Sequence, residues 1–131
     1  MRILLDTNTI VSGLLYPGKP RKLINLVIDG KADLVSSIKM IDELKEVLSR
    51  KKFGLDKEDQ TAMVDFVIRL SHITVLKSRF KIVKDPDDDM VVNTAHDGRV
   101  SYIVSGDHHL LDLKEFSGIK IVTANQMLEL L

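Results

Sequence analysis

The chain has 131 residues, with 19 Lys and Arg against 19 Asp and Glu, so its formal net charge is +0. A hydrophobic fraction of 44% and a charged fraction of 29% exclude a disordered tail, a collagen-like fibre and a multidomain assembly, and they predict one globular domain over residues 1–131. There are no cysteines, which excludes disulfides, thiolate zinc sites and a cysteine nucleophile and fits a reducing compartment.

Taken in chain order, Ile3-Leu4-Leu5 reads as a short buried strand ending at Asp6, and residues 7–15 as a helix or an irregular turn of one. Tyr16 to Pro20 is a Pro- and Gly-marked loop. From Arg21 a helix carries Leu23, Ile24, Val27 and Ile28, and Asp29-Gly30 ends it. Asp33-Leu34-Val35 is a second strand. Ser36 or Ser37 caps the next helix, whose apolar stripe is Ile38, Ile41, Leu44, Val47 and Leu48. A basic connection spans residues 50–55, and Asp56 or Lys57 opens a helix to about Leu70 with Met63, Phe66, Val67 and Leu70 on its buried face.

His72 to Leu76 reads as a strand, followed by a polar, basic stretch. Asp85-Pro86 starts a helix with Val91, Val92 and Ala95 inward and Gly98 at its end. Ser101 to Val104 is a strand, Leu110, Leu111 and Leu113 belong to a short helix or turn, and Ile119 to Val122 is the last strand. Thr123 caps a final helix carrying Met127, Leu128 and Leu131. Strands alternating with helices predict an α/β fold with a mostly parallel sheet covered on both faces. No apolar run approaches the roughly 18 residues that cross a bilayer. The N-terminus also lacks a signal-peptide plan, since Arg2 is followed by only three apolar residues before Asp6. A cytoplasmic chain with no membrane partner is expected.

In such sheets ligands bind beyond the carboxyl ends of the strands. Asp6 directly follows the first strand, and Asp107 follows the strand at 101–104 across Ser105-Gly106. The ordinary role for each is a turn residue or a helix N-cap. If the two strands are neighbours, the carboxylates converge instead. Glu43 borders the buried stripe of its helix between Met40 and Val47, although an exposed helix glutamate has the same spacing. Asp85 to Asp89 is the densest acidic segment. Capping and the helix dipole account for Asp85 and part of the cluster. They account less well for Asp88, which precedes Val91, Val92 and Ala95 by three, four and seven residues and so lies on the buried stripe. A carboxylate pointing inward needs a partner. Asp89 projects towards the side of Asn93.

If these four acids face one point, each like-charge pair costs about 4 kcal/mol at 4 Å and an effective dielectric near 20. No Lys or Arg adjoins Asp6 or Asp107 in sequence to offset this. The natural compensation is a divalent cation with oxygen ligands, Mg²⁺ or Mn²⁺ rather than zinc. Such ions lower the pKa of bound water and neutralise a departing oxygen, which is phosphodiester chemistry.

Asp6-Thr7-Asn8, Glu43, Asp88 in its Asp-Pro-Asp-Asp segment and Ser105-Gly106-Asp107-His108-His109-Leu110-Leu111, with Ala95 seven residues past Asp88, together resemble the PIN-domain family. The resemblance covers essentially the whole chain and is greatest to toxin components of prokaryotic toxin–antitoxin pairs. It implies a three-layer α/β/α sandwich with a mostly parallel central sheet, and a metal-dependent endoribonuclease using one or two Mg²⁺ or Mn²⁺ ions. Asp6, Glu43, Asp88 and Asp107 match the family's acidic catalytic and metal-binding residues, and Asn8 and Ser105 match polar positions nearby. The chain departs from the family at two places. His109 stands where some relatives carry another carboxylate, which puts a second metal site in doubt, and Asp89 stands where many carry asparagine, which adds negative charge. Both join the expected polar shell, with His109 within possible reach of the scissile phosphate. The resemblance also implies an RNA substrate, a cognate antitoxin protein and a homodimer.

Zero net charge argues against a generally basic nucleic-acid binder but is silent on local patches. Lys19, Arg21 and Lys22, Arg50 to Lys52, and Lys77, Arg79, Lys81 and Lys84 are basic runs that could hold an RNA backbone or simply be solvated. Lys19, Arg21, Lys22 and Lys84 are the expected RNA contacts. Two rivals remain at this level. A haloacid dehalogenase-like phosphatase also opens on a strand and an Asp, but Asn8 occupies the place of its general acid. A degenerate, non-catalytic PIN module would bind RNA or a partner without cleaving.

Overall fold

A computed structural model describes residues 1–131. Five strands lie parallel and a sixth antiparallel in one sheet. The strands are β1 (Arg2–Leu5), β2 (Asp33–Ser37), β3 (Ser71–Thr74), β4 (Tyr102–Val104), β5 (Glu115–Phe116) and β6 (Ile119–Val122), in the order β3-β2-β1-β4-β6-β5. Seven helices connect and cover them: α1 (Thr7–Leu15), α2 (Lys19–Ile28), α3 (Ile38–Leu48), α4 (Lys57–Leu70), α5 (Pro86–Asp97), α6 (His108–Leu113) and α7 (Ala124–Leu130). A short 3₁₀ turn spans Lys51–Phe53.

The strands alternate their side chains between two cores, which is what a sheet buried on both faces requires. Ile3, Leu5, Leu34 and Val104 join one core with α1, α2, α3, α4 and α7. Leu4, Val35, Ile103 and Ile121 join the other with α5 and α6. This is a three-layer α/β/α sandwich. No helix is long and apolar enough to cross a membrane.

Several boundaries follow from local chemistry. Ser37 ends β2 and caps α3, its hydroxyl accepting from the Met40 amide at 3.4 Å. Asp56, Asp85 and Thr123 cap α4, α5 and α7, and Pro86 occupies the first turn of α5. α2 starts two residues earlier than expected, because Gly18 at φ 143° frees the chain to turn and Pro20 is tolerated in a first helical turn.

Three expectations about packing are corrected. Ile38 is 65% exposed, since the cap at Ser37 fixes the helix phase so that Met40, not Ile38, enters the core. On α4, Val64 and Val67 are buried while Phe66 is 38% exposed, a rotation of the predicted stripe. β3 ends at Thr74, and Val75 is 75% exposed because the chain leaves the sheet there. β5, only two residues long, carries no strand signal of its own in the sequence. It pairs with β6 through Ser117-Gly118, both at positive φ (51° and 82°), the backbone signature of a type I′ hairpin turn.

Candidate active site

β1 and β4 are adjacent and parallel, with Leu5 opposite Val104, so both chains leave the sheet at the same carboxyl edge. Asp6 and Ser105 are therefore neighbours, and the Asp6 amide donates to the Val104 carbonyl at 3.0 Å. Asp6 does two jobs at once. Its Oδ1 accepts from the Thr9 amide at 2.8 Å and caps α1, while its Oδ2 accepts from the Ser105 hydroxyl. The same Ser105 oxygen accepts from the Asp107 amide at 3.0 Å. Asp107 caps α6 by accepting from the His109 amide at 2.9 Å. Ser105, fully buried, thus ties the two acids that the topology brings together.

Asp88 reaches the same place from the first turn of α5, and Glu43 from α3. With Asp6 and Asp107 they line one cleft of about 220 Å³, together with Thr7, Asn8, Glu46, Val47, Arg50, Asp85, Asp87 and Val91. The wall thus holds seven carboxylates (Asp6, Glu43, Glu46, Asp85, Asp87, Asp88 and Asp107) against one guanidinium. Arg50 is exposed and already paired to Glu46 at 2.9 Å, one helical turn away, so it offsets little of this charge.

Asp88 is the most perturbed member. It is 7% exposed, and its Oδ2 is buried without any hydrogen-bond partner. Burial, then the nearby Asp107 and Asp85 charges, push its carboxyl up to about 6, with His109 pulling the other way. Burial also raises Glu43, opposed by the Thr7 hydroxyl and reinforced by Asp87, Asp6 and Asp85. An orphaned, inward carboxylate oxygen in a wall of acids is a poor solution for a folded chain by itself. It is the arrangement that a hard divalent cation with oxygen ligands would complete. The carboxylates do not, however, close into a group of three already spaced to hold an ion.

Asp85, Asp87, Glu46, Arg50 and Thr7 line the cleft although sequence reasoning did not place them there. Thr7 and the Asp85–Asp87 run were signalled by adjacency to Asp6 and Asp88. Arg50 was read with the basic connection that follows α3, whereas its pairing with Glu46 turns it to the cleft. Asn8 lines the cleft and is exposed. His109 is exposed at the start of α6 and is not part of the cleft wall, although it acts on Asp88 electrostatically.

Asp89 is a correction to the expected polar shell. It lies on the other side of α5, where its Oδ1 accepts from the Ile82 and Val83 amides at 2.8 Å each. One residue past Asp88, the helix turns its side chain by about 100°. The expected RNA contacts also lie outside the cleft wall. Arg21 donates to the Gly13 and Leu14 carbonyls at 3.0 and 3.2 Å, so it closes the last turn of α1 rather than facing solvent. Lys19 donates to Asn125 on α7. Lys22 and Lys84 are exposed.

Comparison with known proteins decides the family. The family model described as "PIN domain" matches residues 2–109. The chain belongs to the PIN domain family. PIN domains are generally nucleases and typically use divalent metal ions. Among solved structures, the chain is similar to VapBC2 from Rickettsia felis bound to a DNA fragment from their promoter. The TM-score is 0.63 at 15% identity, covering 92% of this chain and 97% of that one, which speaks for a shared fold. A search of curated proteins finds no match.

Proposed function

We propose that this PIN domain is a divalent-metal-dependent endoribonuclease, the toxin of a toxin–antitoxin pair, acting in the cytoplasm as one nuclease domain over residues 1–131. The observation that carries this reading is the buried, unpartnered Oδ2 of Asp88 in a cleft whose other walls are Asp6, Glu43 and Asp107. Those four side chains would hold one or two Mg²⁺ or Mn²⁺ ions. A bound ion supplies there an activated water and neutralisation of the departing 3′ oxygen.

The chain's own residues prepare the cleft. Ser105 holds Asp6 and the backbone of Asp107 together, so two of the acids arrive preorganised. Nothing in the cleft supplies a nucleophilic cysteine or a base-paired serine, which favours direct attack by water over a covalent intermediate. A protein antitoxin as partner is supported by the likeness to the VapBC2 structure and by the resemblance to toxin components. Homodimerisation is part of the same proposal, through the resemblance to toxin components.

The phosphatase rival lacks a second Asp two residues past Asp6, where Asn8 stands. The test is cleavage of structured and unstructured RNAs with Mg²⁺, Mn²⁺ or EDTA, alongside Asp6→Asn and Asp107→Asn and a phosphomonoester control. Cleavage that needs the ion and is lost in both variants is expected. Monoester hydrolysis without RNA cleavage would replace the nuclease reading with the phosphatase one. Metal-independent RNA binding without cleavage would favour a non-catalytic module.

A further inference from the structure

The segment from Val75 to Lys84, between β3 and α5, has no helix or strand of its own, yet its backbone is pinned along α5. Asp97 Oδ2 accepts from the Lys77 and Ser78 amides at 2.7 and 2.8 Å. Asn93 accepts from the Phe80 amide at 2.8 Å and donates to the Phe80 carbonyl at 3.1 Å. Asp89 takes the Ile82 and Val83 amides. Asp89, Asn93 and Asp97 are four residues apart and form one stripe on α5. The segment therefore runs antiparallel to the helix, with side-chain carbonyls in the place of a neighbouring strand.

Lys77, Arg79 and Lys81 are exposed and line a groove of about 390 Å³ with Lys39 of α3. Phe80 lines the same groove, partly exposed, with its ring edge-on to His96 and Phe116 at centroid distances of 5.0 and 5.2 Å. None of these four cations is in an ion pair. The one acid in the groove wall, Asp89, is engaged by the segment's own amides.

This groove adjoins the acidic cleft on two elements. Lys39 lies one helical turn before Glu43 on α3. On α5, Pro86 and Asp89 face the groove while Asp85, Asp87 and Asp88 face the cleft.

We propose that the groove is the track for the phosphate backbone of a single-stranded RNA and leads it to the acidic cleft, an assignment that rests on the nuclease reading above. Lys39, Lys77, Arg79 and Lys81 place four unpaired cations along one groove beside the acidic cleft. A groove of free cations that tracks a backbone, ending where an acidic cleft begins, suits the phosphates of one RNA strand. An acidic peptide would offer no group for cleavage where the groove meets the acidic cleft.

The test is fluorescence anisotropy of a labelled single-stranded RNA in EDTA, where no cleavage occurs, for the whole chain and the triple variant Lys77→Gln/Arg79→Gln/Lys81→Gln. These side chains are exposed, so an unchanged circular dichroism spectrum and Tm control for folding. Loss of three single-strand phosphate contacts lowers the slope of log affinity against log salt by about 2, and weakens binding at 50 mM salt by about tenfold or more. In Mg²⁺ the variant should raise KM by a similar factor at unchanged kcat. An unchanged salt slope and KM in a chain that cleaves RNA overturns the track and leaves the nuclease reading standing. A chain that binds with the expected slope but never cleaves overturns the nuclease reading and keeps the RNA track. Polyglutamate competing as well as RNA at equal charge would assign the groove to a protein partner and overturn the proposal.

Discussion

Replacing Asp88 by Asn tests the electrostatic description of the cleft without any nuclease assay. A carboxyl raised from 3.8 to about 6 in the folded chain binds protons more tightly there than in the unfolded chain. Below about pH 4 both states are protonated and the group contributes nothing. As pH rises from there through about 6, the unfolded chain ionises first, so stability falls. Two pKa units correspond to about 3 kcal/mol at neutral pH. The opposing term, loss of a carboxylate in the first turn of α5, is worth about 1 kcal/mol at most. The burial term wins, and the Asn amide can donate to neighbouring carboxylates. In EDTA at pH 7, Asp88→Asn should therefore raise stability by up to about 3 kcal/mol, or about 10 °C in Tm, with the gain vanishing near pH 4. Saturating Mn²⁺ should stabilise the native chain by a further 2–3 kcal/mol or so and the variant by clearly less. Urea titrations from pH 4 to 8, with and without Mn²⁺, read all of this. A variant less stable than the native chain at pH 7 in EDTA, or a difference that does not change with pH, would refute the reasoning.

Other consequences are as direct. Ser105→Ala removes the buried hydroxyl that joins Asp6 to the Asp107 backbone, and should lower RNA cleavage by about ten- to a hundredfold and stability by about 1–3 kcal/mol, since a buried Asp6 oxygen loses its donor. Burial pushes the Asp97 carboxyl up, but hydrogen bonds from the Ser78 hydroxyl and amide and the Lys77 amide outweigh it and hold the carboxyl well below its usual range. Its contribution is therefore present above about pH 4 and lost as pH falls below that. Asp97→Ala should speed hydrogen exchange at the Lys77 and Ser78 amides at pH 7 while the β1 amides stay protected. Leu44→Ala in the larger core should cost about 2–5 kcal/mol in urea unfolding, whereas Ile38→Ala on the exposed start of the same helix should cost under about 1.

Much of the fold is legible in the sequence because each element carries its own punctuation. Asp85-Pro86, Asp56, Thr123 and the apolar triplet ending at Asp6 mark boundaries by capping and chain stiffness, which are local effects. What escaped was set by neighbours. Phe66 and Val64 fit a helical stripe about equally well, and the contact with α3 chose Val64. β5 is two residues long and exists only because Ser117-Gly118 turns it back on β6. The site divides in the same way. Asp6 and Asp107 were legible because acids after parallel strands share an edge, and Asp88 because it fell on a buried stripe. Asp89 and Arg21 were misplaced because charge alone does not say which partner a side chain will find. Asp89 found the amides of the 82–83 backbone, and Arg21 the open carbonyls of α1.

The claim on which the rest depends is that the cleft between Asp6, Glu43, Asp88 and Asp107 takes up a doubly charged ion. Calorimetric titration of Mn²⁺ into the chain at near-physiological ionic strength measures this directly. Saturable binding of one or two ions, lost in Asp6→Asn/Asp107→Asn with the fold intact, is the expected result. No measurable uptake, or uptake unchanged in that double variant, would contradict it.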